Sequence, residues 1–362
     1  MNTAKPPSVF QKILFWLSLG FISTFFAEVL SGSAPYFLLE GFGYVGIIPI
    51  YLLHTLVLAG LALRKGQPFS LRTLYFISLL FGMYEAYITK VLWFPPWQPD
   101  AFRIAGVAVF ETILLVLCWH AIFSFLIPLI TAEQWMTSSN RVLRLFPCKW
   151  QRRLQSPIAP ILLGVFSSIM LGSDIDSSLT ALQIVLLNCT VMSVILLCWR
   201  WMIRKMDFAL KNLLPSGRSL WFFVILLALN YLVMGTLLQT SNRPGAAGHL
   251  AVLVIYAWIG FLIWRSYEKD KQLPHPEEMD NNPVGRIKFH QWWIFCAALC
   301  ISSVLVNSMP PTIEFFLATG AMLVMVLGGI AAFVVSTVDL FRKGKTTQHT
   351  AEVGIEGKYD YD

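Results

Sequence analysis

The sequence predicts an all-α, polytopic integral membrane protein: a bundle of about ten transmembrane helices with both termini in the cytoplasm. Of its 362 residues, 56% are hydrophobic and 13% are charged, against about 45–50% and 25% in soluble domains. The apolar residues fall into ten runs of about span length. If these runs alternate across a membrane, all but three of the 27 Lys and Arg residues lie on one side. A soluble multidomain enzyme is thereby excluded.

The ten apolar runs, separated by polar or Gly/Pro interruptions, are each predicted to be a membrane-spanning helix. They cover residues 12–30, 44–63, 73–93, 102–131, 157–172, 179–203, 219–238, 249–266, 289–308 and 312–341. We expect the first run to remain in the membrane and not to be cleaved as a signal peptide. Glu28 interrupts it just before the small residues that would form a cleavage site.

The basic residues predict the orientation of these spans. With the N-terminus in the cytoplasm, only Lys90, Arg103 and Arg243 face the outside. The positive-inside bias acts loop by loop, so this distribution favours ten spans with both termini inside. The net charge of +7 is therefore a topology signal, and binding to nucleic acid is not expected.

Four parts are predicted along the chain. Residues 1–131 form a four-helix membrane part that carries the ionisable residues, and 132–156 form a basic cytoplasmic loop. Residues 157–341 form a six-helix membrane part, and the short polar tail 342–362 is expected to be disordered in the cytoplasm. The lipid bilayer is the predicted environment, and a prokaryotic cytoplasmic membrane is the predicted location. Five spans in each half allow an inverted repeat, although no motif recurs between the halves.

Ionisable side chains concentrate in the first four predicted spans. They are Glu28, His54, Glu85, Lys90, Glu111 and His120. Such groups are costly inside a membrane, which makes each a candidate for function. The later spans carry mainly asparagines and small residues. Asn188, Asn230 and Asn307 are expected to bond between helices, and Gly328 with Ala332 to form a close-packing face.

Three of these residues are predicted to share one layer of the membrane. His54, Glu85 and Glu111 lie roughly 15, 12 and 14 Å from the outer ends of their spans, at about 1.5 Å per residue. Two nearby carboxylates cannot both be ionised cheaply, so one is expected to hold a proton, with His54 as its partner or relay. These residues are the candidates for binding a proton or a substrate. The alternative is that each bonds only to a neighbouring helix or faces a wet crevice.

The other three ionisable residues receive secondary roles. Glu28 and Lys90 lie near the outer boundary at similar depths, which predicts an ion pair or gate between the first and third spans. His120 follows Glu111 by nine residues, roughly 13 Å deeper and on the opposite face of an α-helix. It is therefore expected to be a packing residue and only a secondary candidate.

Two outer loops are unusual. The segment 31–43 has no Lys or Arg and is too apolar for an ordinary loop, so it is predicted to dip into or lie on the outer interface. The segment 93–100 contains three prolines flanked by aromatic residues. Together they form either a mouth above Glu85 or an ordinary aromatic belt.

A family resemblance is carried by FGMYEAYITKVLWFPPW at residues 81–97. This stretch resembles uncharacterised prokaryotic multi-pass membrane proteins with a YGxxEEG pattern followed by a TKxxxxPxW-like stretch. AEVLSGSAPYF at 27–37 and HAIFSFLIP at 120–128 support the resemblance. The glutamate pattern is distantly similar to the CPBP (Abi) intramembrane proteases, which implies metal-assisted peptide hydrolysis with Glu85 and His120 near the metal. The second glutamate of that pattern is replaced by Ala86.

Three functions remain open at this point. A transporter or permease with an intramembrane Glu/His site for a proton, cation or small solute is favoured by ten spans without a soluble domain. A membrane-embedded metal-dependent hydrolase and a non-catalytic assembly or scaffold protein are the alternatives. Whether the protein is an enzyme is therefore open. No cofactor is predicted, and a metal only for the hydrolase. Because no GxxxxGK[ST] loop occurs, transport would be coupled to an ion gradient.

Overall fold

A computed structural model of the chain describes most of its length. The described residues are 6–63, 68–88, 100–172, 175, 177–203, 208–237, 245–273 and 285–342, without the side chain of Glu85. The first seven helices are α1 Val9–Val29, α2 Gly43–Ala62, α3 Leu71–Ile88, α4 Val109–Met136, α5 Arg141–Arg144, α6 Cys148–Leu154 and α7 Ile158–Gly172. The next six are α8 Ser178–Met202, α9 Leu210–Leu213, α10 Arg218–Leu237, α11 Ala246–Asp270, α12 His290–Val306 and α13 Pro311–Phe341.

A long helix occupies each of the ten predicted spans, which confirms the fold class. Among the described residues, seven helices are long and apolar enough to cross a membrane, and the pair α6–α7, bent by 70°, is an eighth. Helices α3 and α12 occupy the remaining two predicted spans. Because these helices carry apolar side chains on every face, their surroundings must be a lipid bilayer and not water.

The first four long helices lie at the centre of the bundle. In its most apolar stretch, α2 has 72% of its residues buried and α4 has 78%. The corresponding fraction is only 17% in α10 and in α13, and 22% in α11. Helix α3 packs against α2, α4, α10 and α11, and α13 packs against α4 and α7. The later helices therefore surround the earlier ones and present their apolar side chains to lipid.

The predicted span 102–131 starts too early. Residues 103–108 form a short hairpin, in which β1 Arg103–Ile104 pairs with β2 Val107–Ala108 in antiparallel register. Ala105 and Gly106 both have positive φ, at 51° and 81°, which is the turn that joins two strands through two residues. Helix α4 consequently begins at Val109 and continues to Met136.

Most of α4 is a π-helix, from Thr112 to Leu126. The Tyr75 hydroxyl of α3 donates to the carbonyl oxygen of Leu117 at 2.9 Å, which satisfies part of this widened backbone. A Cβ atom added to Gly82 of α3 would lie 2.5 Å from the Cα atom of Val116. The backbones of α3 and α4 therefore touch, and only glycine fits at the contact.

The close-packing glycine of α13 is Gly329 and not its neighbour. A Cβ atom on Gly329 would lie 3.1 Å from Cβ of Leu117, whereas one on Gly328 would meet nothing within 4 Å. The expectation for Gly328 was therefore wrong by one residue. A shift of one position rotates a helical residue by about 100°, and hydropathy does not distinguish two adjacent glycines.

A buried ion cluster joins three helix ends on the predicted cytoplasmic side. Arg72, at the start of α3, donates to the Asp270 carboxylate at 2.7 Å, to the Ser266 hydroxyl at 2.8 Å and to Asp339. Asp270 also accepts hydrogen bonds from Ser70 and Thr73, and it is 1% exposed. We call these residues the arginine cluster. It ties the N-terminus of α3 to the C-termini of α11 and α13.

The basic loop 132–156 is anchored by a buried carboxylate that the sequence did not single out. Glu133, in the last turn of α4, accepts hydrogen bonds from the backbone N–H groups of Val142 at 2.9 Å and Leu143 at 3.1 Å. Arg286 donates to the carbonyl oxygen of Gln134 at 2.7 Å. The loop is thus an ordered unit that contains α5 and α6.

The outer segment 31–43 packs against the bundle at Pro35 and Phe37. Phe37 is 1% exposed, and the Pro35 carbonyl oxygen accepts a hydrogen bond of 3.0 Å from the Asn188 side chain. Asn188 lies ten residues into α8, about 15 Å along the helix. Residues 91–99 of the second loop lie outside the described residues.

One of the three asparagine predictions is confirmed: Asn230 of α10 accepts a hydrogen bond from the Tyr84 hydroxyl of α3. Asn188 donates to the Pro35 carbonyl oxygen of the outer segment and to the Ile184 carbonyl oxygen of its own helix, so it does not bond to a second helix. Asn307 instead donates to the Ser303 carbonyl oxygen within its own helix end, at 3.0 Å. It follows the last residue of α12, and its backbone N–H donates to the same carbonyl oxygen at 3.2 Å.

Candidate functional site

Three segments that carry the family resemblance meet inside the bundle. Glu28 ends α1, Phe81 and Tyr84 belong to α3, and His120 belongs to α4. Helix α2 adds Tyr51 and His54 from the adjacent face. We call the following set the imidazole cluster: Glu28, Tyr51, His54, Phe81, Tyr84 and His120.

His54 is held in a defined orientation by two neighbours. Its Nδ1 atom lies 2.7 Å from the Ile50 carbonyl oxygen, so Nδ1 carries the proton and donates. In the neutral ring Nε2 is then the acceptor, and it lies 3.4 Å from the Tyr231 hydroxyl oxygen of α10. The side chain is 1% exposed. His54 is therefore a buried imidazole with a fixed tautomer.

The Phe81 ring contacts both imidazoles of the cluster. Its centroid lies 4.8 Å from that of His54 and 5.9 Å from that of His120, and both pairs are stacked, with interplanar angles of 16° and 22°. His120 Nδ1 lies 2.9 Å from the Ser124 hydroxyl. Within the described part of the chain, no hydrogen bond engages His120 Nε2. One ring nitrogen of this buried histidine is thus without a hydrogen-bond partner among the described residues.

Glu28 is held by neutral donors. Its carboxylate accepts hydrogen bonds from the Tyr51 hydroxyl and, at 2.6 Å, from the Ser33 hydroxyl. The Tyr51 ring in turn lies 6.3 Å from the His120 ring, centroid to centroid. Tyr51 therefore lies between the two groups, with a hydrogen bond to the carboxylate of α1 and a ring contact with the imidazole of α4.

Hydroxyl groups extend this polar path along α1 and α2. Thr55 donates to the Ser23 hydroxyl at 3.0 Å, and Ser23 donates to the Ser124 carbonyl oxygen at 2.5 Å. Ser124 is the residue that contacts His120. These hydroxyl groups join α1, α2 and α4. They could not be predicted, because serine and threonine are common in apolar helices.

Tyrosines enclose the outer side of His54. The Tyr84 ring lies 3.8 Å from the His54 ring and 4.2 Å from the Tyr231 ring, centroid to centroid. Further out, the Tyr87 hydroxyl lies 3.2 Å from Nδ1 of His249. The spacing of Tyr51 and His54 in α2 was a usable signal, since residues three apart share one helix face.

Glu111 lies in the first turn of α4 and is not at the predicted depth. The hairpin at 103–108 displaces the helix start, so Glu111 follows Val109 by only two residues. Glu111 is 2% exposed, and its Oε2 atom is buried without a hydrogen-bond partner among the described residues. The structure brings His54 together with His120 and not with Glu111.

The face predicted for His120 was wrong. The prediction assumed an α-helix, in which residues nine apart lie on opposite faces. A π-helix forms i→i+5 hydrogen bonds and has more than four residues per turn, so residues nine apart lie about two turns apart on one face. Both Glu111 and His120 are buried, and His120 belongs to the imidazole cluster.

Two predicted site residues fall outside what the structure describes. The backbone of Glu85 belongs to α3 between the buried residues Tyr84 and Ala86, but its side chain is outside the described part. Lys90 also lies outside the described residues. The ion pair of Glu28 with Lys90 and the role of Glu85 therefore remain predictions.

The described residues offer no set of metal ligands of the usual kind. Within the described ranges, no group of three or more His, Cys, Asp or Glu side chains is placed to hold a metal ion. The two histidines of the cluster both stack on Phe81. The geometry instead provides hydroxyl groups, one carboxylate and two imidazoles in a chain.

The fold and this cluster define a polytopic α-helical membrane protein with titratable groups at the centre of its bundle. Residues 17–343 match the model of an uncharacterized membrane protein family, and the chain belongs to that family. It is 34% identical over 253 residues to a protein of Archaeoglobus fulgidus described as an uncharacterized protein, covering 70% of this chain and 78% of the relative. No solved structure matches.

Proposed function

We propose that this protein is a transporter or permease that moves a proton, a cation or a small polar solute across the cytoplasmic membrane of a prokaryote. The carrying observation is the contact of Tyr51 with both Glu28 and His120 at the centre of the bundle. Titratable groups inside a membrane bundle are costly, and pathways for protons and ions are a principal reason to keep them. The archaeal relative supports the prokaryotic location.

The cluster suits proton binding better than a fixed ion pair would. Glu28 is stabilised by hydroxyl donors, so it can gain a proton without breaking a salt bridge to a described residue. His120, close to Tyr51, offers a ring nitrogen without a hydrogen-bond partner among the described residues. The sequence predicts Glu85 and Glu111 in one layer with His54. We propose that Glu85 adds to this site, whereas Glu111 lies nearer the outer end, in the first turn of α4.

Charge displacement on a solid-supported membrane tests the proposal. Proteoliposomes of the wild type should give a transient current after a pH jump. Glu28→Gln should reduce that current about tenfold or more, because the amide cannot bind the proton, and His120→Ala should do the same. Glu314→Gln, at the start of α13 and outside the cluster, is the matched control and should keep the wild-type current.

Equal currents in the wild type and Glu28→Gln would refute proton binding at this carboxylate. Infrared difference spectra on acidification give an independent check, since the carboxylic-acid band of Glu28 should disappear in Glu28→Gln alone. If neither signal exists and the variants only lose stability, the cluster is a packing device, and the scaffold alternative takes its place.

The hydrolase alternative has its own test. Elemental analysis of the purified protein should be compared with folded, monodisperse Glu85→Ala and His120→Ala variants. A near-stoichiometric transition metal in the wild type, lost in both variants, would replace the transporter by a metal-dependent hydrolase of the CPBP kind.

A further inference from the structure

A large apolar crevice opens between α4 and the helices that surround it. Its volume is about 820 Å³, and it is bounded by α4, α7, α12 and α13. Phe123, Ile127, Leu163, Phe166 and Phe295 are representative of its walls. The volume falls within the roughly 300–1,000 Å³ of typical ligand pockets. The walls select an apolar occupant.

Two glutamines at one end of this crevice already have hydrogen-bond partners, whereas the indole N–H of Trp135 in the same wall is buried without a partner among the described residues. Gln134 Oε1 accepts a hydrogen bond of 3.0 Å from the Ile287 backbone N–H, and the Gln291 side chain donates to the Gln155 carbonyl oxygen at 2.5 Å. These glutamines mark the end of the crevice that the charge distribution predicts to be cytoplasmic. They hold the wall in place and leave the interior apolar.

Helix α6 places positive charge at that same end. It is bent by 70° from α7, and its Trp150 and Leu154 line the crevice. Lys149, Arg152 and Arg153, which alternate with these two residues, are exposed. The Arg153 guanidinium lies 5.2 Å above the centre of the Trp150 ring, so a cation stands directly over a wall of the crevice.

No acidic residue offsets this charge in the local sequence. Between Glu133 and Asp174 the chain contains no Asp or Glu, and Glu133 is buried with backbone N–H partners. A short helix with tryptophan and leucine on one side and basic residues on the other is typical of helices that lie in a membrane interface. The basic residues of such helices attract anionic lipid headgroups.

We propose that this crevice binds an anionic phospholipid from the cytoplasmic leaflet. One hydrocarbon chain lies in the crevice, and the phosphate group lies against Lys149, Arg152 and Arg153. A soluble anion would not need the apolar walls. A zwitterionic lipid would bind less well to three cations that have no acidic partner among the described residues. This site is separate from the imidazole cluster, so the proposal of lipid binding does not depend on the proposal of transport.

Native mass spectrometry of the full-length, delipidated protein tests this site. The probes are phosphatidylglycerol and phosphatidylcholine with identical acyl chains, added together at equal concentration. The wild type should retain phosphatidylglycerol about tenfold or more over phosphatidylcholine. The triple variant Lys149→Gln, Arg152→Gln, Arg153→Gln should lose that preference.

Two further variants separate a specific site from general surface charge. The triple variant Lys211→Gln, Arg218→Gln, Arg265→Gln removes the same charge from other helices on the predicted cytoplasmic side and should keep the wild-type preference. Ala159→Trp, which fills the crevice, should reduce retention of both lipids about tenfold, with monodispersity confirming its fold. Equal retention of the two lipids by the wild type, equal losses in both triple variants, or full retention by Ala159→Trp would each overturn the proposal.

Discussion

The two polar clusters inside this bundle are built in opposite ways. In the arginine cluster a guanidinium faces two carboxylates, Asp270 and Asp339, and serine and threonine hydroxyls complete the contacts. In the imidazole cluster the Glu28 carboxylate meets only hydroxyl donors among the described residues, and His120 has an unused nitrogen. Fully paired charges fix a structure, whereas a carboxylate with neutral partners can exchange a proton at little structural cost.

The largest expected effect is the loss of the buried cation. Arg72→Gln should destabilise the protein by about 3–5 kcal/mol, because it leaves Asp270 charged, buried and without its counterion. Unfolding in detergent, followed by circular dichroism, measures the change. Lys271→Gln removes an exposed pair with Glu268 and should cost less than about 1 kcal/mol. A similar loss for both variants would show that the arginine cluster is not a structural anchor.

The backbone contact between α3 and α4 comes next. Gly82→Ala should cost about 3 kcal/mol, because its Cβ would overlap the Val116 backbone, which cannot move aside like a side chain. Gly328→Ala is the matched control: its Cβ meets open space, and alanine in a helix should stabilise by about 0.5–1 kcal/mol. The same assay compares them, and a neutral Gly82→Ala would contradict the close approach.

The Tyr51 hydroxyl tests how the imidazole cluster differs from the arginine cluster. Tyr51→Phe removes a donor to the Glu28 carboxylate and should cost about 2 kcal/mol, as expected for a hydrogen bond to a charged group. The pH-jump current should fall as well, because Tyr51 lies between Glu28 and His120. A variant that loses stability but keeps its current would separate the hydroxyl from the proposed proton path.

The smallest expected effect concerns the π-helix. Tyr75→Phe removes the hydroxyl that donates to the Leu117 carbonyl oxygen and should cost about 1 kcal/mol. The pH-jump current should remain, since Tyr75 lies outside the imidazole cluster. A change in the current without a change in stability would instead connect the π-helix backbone to function.

The helices of this protein were predictable because lipid imposes length and apolarity on each span. Predicted and observed ends agree within four residues at α7, α8 and α12, for example. The hairpin at 103–108 was missed, since Ile104, Ala105, Val107 and Ala108 are apolar and continue directly into the apolar helix that follows. The order inside the loop 132–156 was also missed, because a fully buried glutamate at a helix end looks like an ordinary loop residue.

The candidate site was only partly predictable. His54, Glu28 and His120 were recognised as costly residues in a membrane, but their grouping depends on the π-helical turn of α4. Hydropathy does not report the hydrogen-bonding register of a helix, so the position of His120 relative to Glu111 could not be derived. Tyr51 and Tyr84 were overlooked because aromatic residues are ordinary in spans.

The glycine contacts also divide the bundle into mechanical units. Gly82 holds α3 against α4, and Gly20 brings α1 against Leu52 of α2, where an added Cβ would lie 2.7 Å from the leucine Cβ. Each pair should move as one rigid body, since tightly packed contacts of this kind do not slide gradually. The pair α1–α2 carries Glu28, Tyr51 and His54. The pair α3–α4 carries Phe81, Tyr84 and His120. The interface between the two helix pairs therefore passes through the imidazole cluster. Any displacement of one pair relative to the other would change the stacking of His54 on Phe81.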